Sequence, residues 1–358
     1  MSTGVNGLEQ IPDWLLPLWE DLRGRDARLP HALLFCGPEG SGKRLFAEHL
    51  AHALLCQAPD AQGFACGQCP DCTWIASGNH PDFFTLVPAA DEVSSEEGDE
   101  NTETAKKEKA KSTQIVIDQV RSLQASLEVG AVGHAGGRRL VIIDPAEAMN
   151  AAAANALLKA LEEPNGNTVY LLLSNAPRRL LPTIRSRCQV LDFPRPGLEQ
   201  AANWMKRQGI SNPALLGFAS GLPLAARTYA NGVLADARKN FANDLTNLTT
   251  KDPLKLAAEW EARLKAKGAQ EAGFVLPTLI NWLQRWLSDG ARVAEGRAPR
   301  FFADYAAELG KQSQGHGEAW LAAYRDIESH RRMANHPLNQ RLFLEELLLT
   351  VFRRIAVR

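Results

Sequence analysis

Apolar residues run along this chain in two rhythms. In the first part, strand-like runs at Leu33-Leu34-Phe35-Cys36, Leu140 to Ile143 and Val169 to Leu173 alternate with helix-like stretches at Leu45 to Leu55 and Ala151 to Leu161. That alternation predicts an α/β domain with a parallel sheet and flanking helices. Between Asp118 and Leu127, Val120, Leu123 and Leu127 fall at i, i+3 and i+7. The spacing predicts a helix with one face on the sheet and Asp118 capping its start. Near Pro194-Arg195-Pro196-Gly197 the α/β signal stops and the remaining pattern is helical, which marks a domain boundary. A short helical segment to about Asn231 precedes a longer helical region, where Leu279, Trp282, Leu283 and Trp286 form an i, i+3, i+4, i+7 stripe expected in a core. The last helix, from Asn339 to about Val351, carries Leu342, Phe343, Leu344, Leu347, Leu348 and Leu349. It is apolar around more than half its circumference, predicting burial on several sides by its own domain or by other subunits.

The chain has 358 residues, 45% of them hydrophobic, enough for more than one core and for two or three domains. Its 40 Lys plus Arg against 41 Asp plus Glu leave no global field to hold nucleic acid or an anionic membrane, so any DNA contact needs a local patch. From about 90 to 112 the chain reads as an acidic block followed by a lysine block, with Val93 its only large apolar residue, and a disordered surface insertion is expected. No apolar run approaches the roughly 20 residues of a membrane helix, and the polar start MSTGVNGLEQ lacks the pattern of a signal peptide; a cytoplasmic protein is expected.

Four of the six cysteines crowd together, which points to metal rather than disulfides. Cys56, Cys66, Cys69 and Cys72 have the spacing C-x9-C-x2-C-x2-C. Thiolates so placed converge on one ion in a tetrahedral S₄ site, and four sulfurs leave no coordination position open for water, so the expected role is structural zinc. Free thiols are the alternative. Cys36 lies in an apolar run and reads as a small core residue, and Cys188 also stands outside the cluster.

Gly37-Pro38-Glu39-Gly40-Ser41-Gly42-Lys43 follows the first strand and opens a helix, the context in which a G-x-x-x-x-G-K match is credible. Glycines let successive N–H groups cradle phosphate oxygens, the helix start adds positive potential, and Lys43 reaches the outer phosphates. Gly37, Gly40, Ser41, Gly42, Lys43 and Asp144, the carboxylate ending the strand at Ile143, are the candidate nucleotide site. The residue after the lysine should offer a hydroxyl to Mg²⁺, and here it is Arg44, which cannot ligate a metal. ATP or ADP bound without hydrolysis is expected, with a loop that survives only as a fold element as the alternative.

In combination with the loop and the cysteine module, two further stretches carry a resemblance. These are Ala153-Ala154-Asn155-Ala156-Leu157-Leu158-Lys159-Ala160-Leu161-Glu162-Glu163-Pro164 and Thr183-Ile184-Arg185-Ser186-Arg187-Cys188. From about Trp14 to the C-terminus the sequence resembles the clamp-loader branch of the AAA+ family. The resemblance implies that Arg187 of Ser-Arg-Cys reaches a neighbouring subunit's γ-phosphate as an arginine finger, a role that suits a permanently charged, bidentate guanidinium. It implies that the glutamate expected after Asp144 to polarise water is replaced by Pro145, that sensor 1 falls at Ser174 or Asn175, and that Leu224 stands where sensor 2 has arginine. The losses at Arg44, Pro145 and Leu224 describe a finger donor that is not itself an ATPase. It further implies an AAA+ domain over 1–194 with the zinc module at about 56–72, a helical lid over 195–236 and a helical collar over 237–358. The implied partners are gamma/tau and delta subunits in a hetero-pentamer that loads a sliding clamp on primed DNA, with no membrane. An active gamma/tau-like motor and a zinc-stabilised nucleic-acid-binding protein outside the loader are the competing readings.

Overall fold

A computed structural model describes residues 10–25, 29–89, 112–128, 137–334 and 339–355. Residues 90–111 of the expected disordered insertion lie outside the described residues. The described residues fall into two compact units divided between Arg195 and Pro196.

The first unit runs α1 (Leu16–Gly24), β1 (Ala32–Cys36), α2 (Lys43–Leu55), α3 (Pro70–Ala76), β2 (Phe83–Leu86), α4 (Ile117–Glu128), β3 (Arg138–Ile143), α5 (Ala151–Glu162), β4 (Asn167–Ser174), α6 (Pro182–Arg185) and β5 (Gln189–Asp192). Its five strands pair in the order β2-β3-β4-β1-β5, every pair parallel. Helices cover both faces, which is why the central strands read as unbroken apolar runs. Ala32 and Leu34 of β1 enter a core with Val120, Leu123 and Leu127 of α4 and Leu157 and Leu161 of α5. On the other face Phe35 meets Phe46 of α2 edge to face at 5.7 Å, and Trp19 of α1 meets the same ring at 5.7 Å. This is the expected α/β architecture.

Two strands were not legible. The outer strands β2 and β5 carry partly exposed residues, Val190 being 48% exposed, so neither presents a solid apolar run. The expected cap of α4 is corrected: Asp118 lies inside the first turn, and Gln119 Oε1 accepts the Val116 N–H at 3.0 Å. Because the helix starts at Ile117, two residues earlier than a cap at Asp118 would place it, the side chain that folds back on the free N–H is the one at N3.

The second unit is helical: α7 (Leu198–Arg207), α8 (Ala214–Phe218), α9 (Pro223–Thr228), α10 (Val233–Thr246), α11 (Pro253–Leu264), α12 (Leu276–Ala294), α13 (Ala306–Ser313), α14 (Gly317–Met333) and α15 (Gln340–Ile355). One core gathers Trp260, Trp282, Trp286 and Trp320 with Phe218, Phe241 and Phe302. The α12 stripe Leu279, Trp282, Leu283 and Trp286 is wholly inside it, each residue at most 1% exposed. Gly290 of α12 lets α14 approach closely: a Cβ there would stand 1.9 Å from Trp320 Cε3. Fully buried Asp289 accepts the main-chain N–H groups of Arg300, Phe301 and Phe302 at 2.7 Å each, fixing the loop that delivers Phe302 to the core. In α15 the burial is one-sided within this chain. Phe343, Leu344, Leu347, Leu348 and Val351 are buried, whereas Leu342 is 61% exposed.

Candidate functional site

β1 ends at Cys36, and the chain turns through Gly37–Gly42 into α2. Gly40 and Gly42 sit at φ 79° and 94°, left-handed values that a side chain resists. Lys43, at the first turn of α2, is 6% exposed. Its ammonium donates to Gly37 O at 2.7 Å, Pro38 O at 2.8 Å and Asn175 Oδ1 at 2.8 Å. Ser41 Oγ stands 3.3 Å away. Burial pushes the Lys43 pKa down, and the nearby carboxylates of Asp144 and Glu147 oppose that shift. The structure therefore brings Gly37, Gly40, Ser41, Gly42 and Lys43 together in one loop. It also puts Asn175, at the end of β4, on the lysine.

Asp144 follows β3 beside this loop, and Arg44 reaches it. Arg44 Nη1 is 3.1 Å from Asp144 Oδ2, while Nε holds Glu48 Oε1 at 2.9 Å. Burial raises the Asp144 pKa and the guanidinium works against the rise. A magnesium site in such a loop takes a hydroxyl from the residue after the lysine and a carboxylate from the strand end. Here the first group is a guanidinium and the second is paired with it, so the residues present do not fit a divalent ion. Pro145 adds no acid or base. Glu147, which no sequence pattern singles out, accepts the N–H groups of Asn175 at 2.9 Å and Ala176 at 3.1 Å, bracing the end of β4. In the second unit, Leu224 is 9% exposed in α9.

Arg187 lies at the other end of the sheet. It precedes β5, whose Gln189 pairs with Leu33 while Asp192 pairs with Cys36. In a parallel pair the phosphate loop leaves the end where strands finish, and Arg187 stands where β5 begins. The three-residue register from Leu33 to Cys36, at about 3.3 Å per residue, already separates those levels by about 10 Å. The guanidinium donates to Thr183 O at 2.9 Å and forms an ion pair with Glu162, the last residue of α5. The Arg187 side chain is 34% exposed and that of Glu162 49%. Glu162 was singled out in the sequence only as part of a motif.

The four cysteines come from three places: Cys56 closes α2, Cys66 sits in the following loop, Cys69 precedes α3, and Cys72 lies in its first turn. Their sulfurs all lie within 4.8 Å of one another, with Cys56 to Cys69 at 3.9 Å and Cys66 to Cys72 at 4.0 Å. Four sulfurs about 2.3 Å from a tetrahedral zinc stand about 3.8 Å apart, so the cluster fits such an ion. Main-chain N–H groups point at the sulfurs, from Cys66 to Cys56 Sγ at 3.2 Å and from Gln68 to Cys66 Sγ at 3.5 Å. The Gln68 N–H, with further donors, draws the Cys66 thiol down to about 6. Buried Asp71 ties the module together, accepting from Gln57 Nε2 at 2.9 Å and lying 3.3 Å from His80 Nε2. Cys36 and Cys188 are buried in the sheet core, where burial raises both thiols, Cys188 to about 12.

Among the described residues no helix is long and apolar enough to cross a membrane. The family model described as DNA polymerase III, delta subunit, matches residues 21–197. The chain is 36% identical to DNA polymerase III subunit delta′ of Pseudomonas aeruginosa, over 96% of this chain and 97% of that protein. It is 30% identical to DNA polymerase III subunit delta′ of Escherichia coli, over 94% of each. A solved structure of a DNA polymerase III gamma subunit-related protein from Thermotoga maritima is a remote likeness, at 18% identity and TM-score 0.44 over 94% of this chain and 99% of that one.

Proposed function

The chain belongs to the DNA polymerase III delta-prime family, and on that premise we propose that it is the subunit of a bacterial clamp loader that supplies Arg187 to a neighbour's ATP site. One observation carries this reading. Arg187 stands at the end of the sheet opposite its own phosphate loop, partly exposed, held by Glu162 and one carbonyl. A guanidinium so placed cannot serve this chain's own loop and is available across a subunit boundary. Leaving Glu162 for a γ-phosphate exchanges one anion for another, and an exposed ion pair holds by only about 0.2–1 kcal/mol. At the phosphate, planar bidentate donors neutralise charge that grows in the transition state.

The chain's own loop supports binding without turnover. Lys43 and the glycine-lined loop offer positive potential to phosphates, but Arg44 pairs with Asp144 and Pro145 offers no base. These pairings weigh against an active motor subunit. Cys56, Cys66, Cys69 and Cys72 would hold a structural zinc that joins the end of α2 to the start of α3. Residues 195–236 form the lid and 237–358 the collar through which gamma/tau and delta subunits assemble. Primed DNA and the sliding clamp are engaged through that assembly, in the cytoplasm.

The test is reconstitution. Mixed with gamma and delta subunits, the chain is expected to co-elute as one hetero-oligomer on size exclusion. Separate elution under conditions where gamma and delta themselves are folded would overturn the assignment to a loader.

A further inference from the structure

Two acids stand at the carbonyl end of α5, Glu162 as its last residue and Glu163 as its cap, and both are exposed. The last turn of a helix carries partial negative charge, so carboxylates there work against the helix. Helix stability therefore explains neither of them. Glu162 has a partner from another part of the chain: its carboxylate pairs with the Arg187 guanidinium, which donates a further hydrogen bond to Thr183 O at 2.9 Å. Among the described residues the Glu163 carboxylate meets no cation. The two neighbouring acids thus differ in one respect, that only Glu162 holds Arg187.

That pairing puts the guanidinium in a strongly negative place, made by the carbonyl end of α5, the Glu162 carboxylate and the charge of Glu163 one residue on. The resting site and a γ-phosphate next door compete for the same donors. A carboxylate on a neighbouring surface offers no more charge than Glu162 already does. A terminal phosphate offers close to two negative charges and several acceptor oxygens in the paired geometry that guanidinium favours. Resting on the reading that Arg187 serves a neighbour's site, we infer that Glu162 is the residue that restrains the finger: a positioning residue that acts only through Arg187 and sets how strongly a triphosphate must pull to engage it. The restraint is light, because an exposed pair of this kind shifts an equilibrium by only about 1.5- to 5-fold.

The experiment is single-turnover hydrolysis at limiting ATP by loader reconstituted with unaltered gamma and delta subunits. Glu162→Gln keeps the shape of the side chain and one acceptor oxygen but removes the charge, and Thr183 O remains to order the guanidinium. The transition state then gains the finger without surrendering an ion pair, so kcat/KM at the served site should rise by about two- to fivefold. A merely structural contact would leave that value unchanged or lower it. Glu163→Gln, the same change of charge one residue on, should stay near wild type; an equal rise there would trace the effect to the general field and overturn the restraint. On an Arg187→Ala background Glu162→Gln should change nothing further. A kcat/KM that stays level or falls in a fully assembled Glu162→Gln loader overturns the inference, as does a rise that persists without Arg187. If Arg187→Ala alone leaves hydrolysis unchanged, the finger reading itself fails, and the two failures are told apart by that variant.

Discussion

Replacing Asp289 by Asn should destabilise the helical unit and leave the sheet unit unchanged. The carboxylate is fully buried; Oδ1 accepts the Arg300 N–H, and Oδ2 accepts those of both Phe301 and Phe302, all at 2.7 Å. An amide keeps one acceptor oxygen and turns an NH₂ toward the remaining donors. At least one main-chain N–H then loses its partner and faces another donor. A buried group left unsatisfied costs about 1–3 kcal/mol, and hydrogen bonds to a charged acceptor are each worth more than neutral ones. The expected loss is about 2–5 kcal/mol. With a urea m-value of about 2 kcal/mol/M the midpoint of that unit should fall by about 1–2.5 M. Tryptophan emission reports it, because Trp260, Trp282, Trp286 and Trp320 sit in this core and Phe302 packs against Trp286 at a ring distance of 5.0 Å. Amide exchange of the strand residues follows the α/β unit in parallel, since two units need not unfold as one. An unchanged tryptophan midpoint in a folded Asp289→Asn protein would refute the claim that this carboxylate fixes the 300–302 loop.

Three further outcomes follow from the packing and the cluster. Gly290→Ala places a methyl 1.9 Å from the Trp320 ring and should cost the helical unit at least about 1–3 kcal/mol, read as a lowered Tm; wild-type stability would mean that α14 moves away freely. The purified chain should carry one zinc by elemental analysis. Chelation should speed amide exchange across 56–72 by at least roughly tenfold while sheet amides keep their protection, and unchanged exchange would show the cysteines to be free thiols. His52 is buried on α2 with Nδ1 lacking a hydrogen-bond partner among the described residues, and burial lowers its pKa from 6.5 to about 4. The unfolded state then binds the proton more readily. Its contribution is complete above pH 6.5 and lost as pH falls toward 4, a difference of about 3 kcal/mol. His52→Leu should flatten that acid limb, and an unaltered pH slope would contradict it.

What the sequence disclosed was what neighbours in the chain decide. β1, β3 and β4 were legible because sheet and helices cover them on both sides, and the α12 stripe because helical spacing alone aligns its four residues. The cysteine cluster was legible because a metal imposes its own spacing. β2 and β5 escaped because they lie at the sheet edges, where polar residues are tolerated. The pairing of Arg44 with Asp144 spans 100 positions, and that of Lys43 with Asn175 spans 132. The sequence could show that a hydroxyl was missing, not that its replacement seizes the metal's carboxylate. Likewise Glu162 lies in a stretch that the sequence marks only by its resemblance, and folding brings its carboxylate to Arg187.

The central claim is that Arg187 acts in a neighbour's site, and turnover by the assembled loader tests it most directly. Loader reconstituted with the Arg187→Ala chain should elute as the complete complex on size exclusion and bind nucleotide normally. Single-turnover hydrolysis at the one site the finger serves should fall by roughly 10³-fold, with the other sites near their wild-type rates. Wild-type hydrolysis at every site in the fully assembled mutant complex would contradict the account.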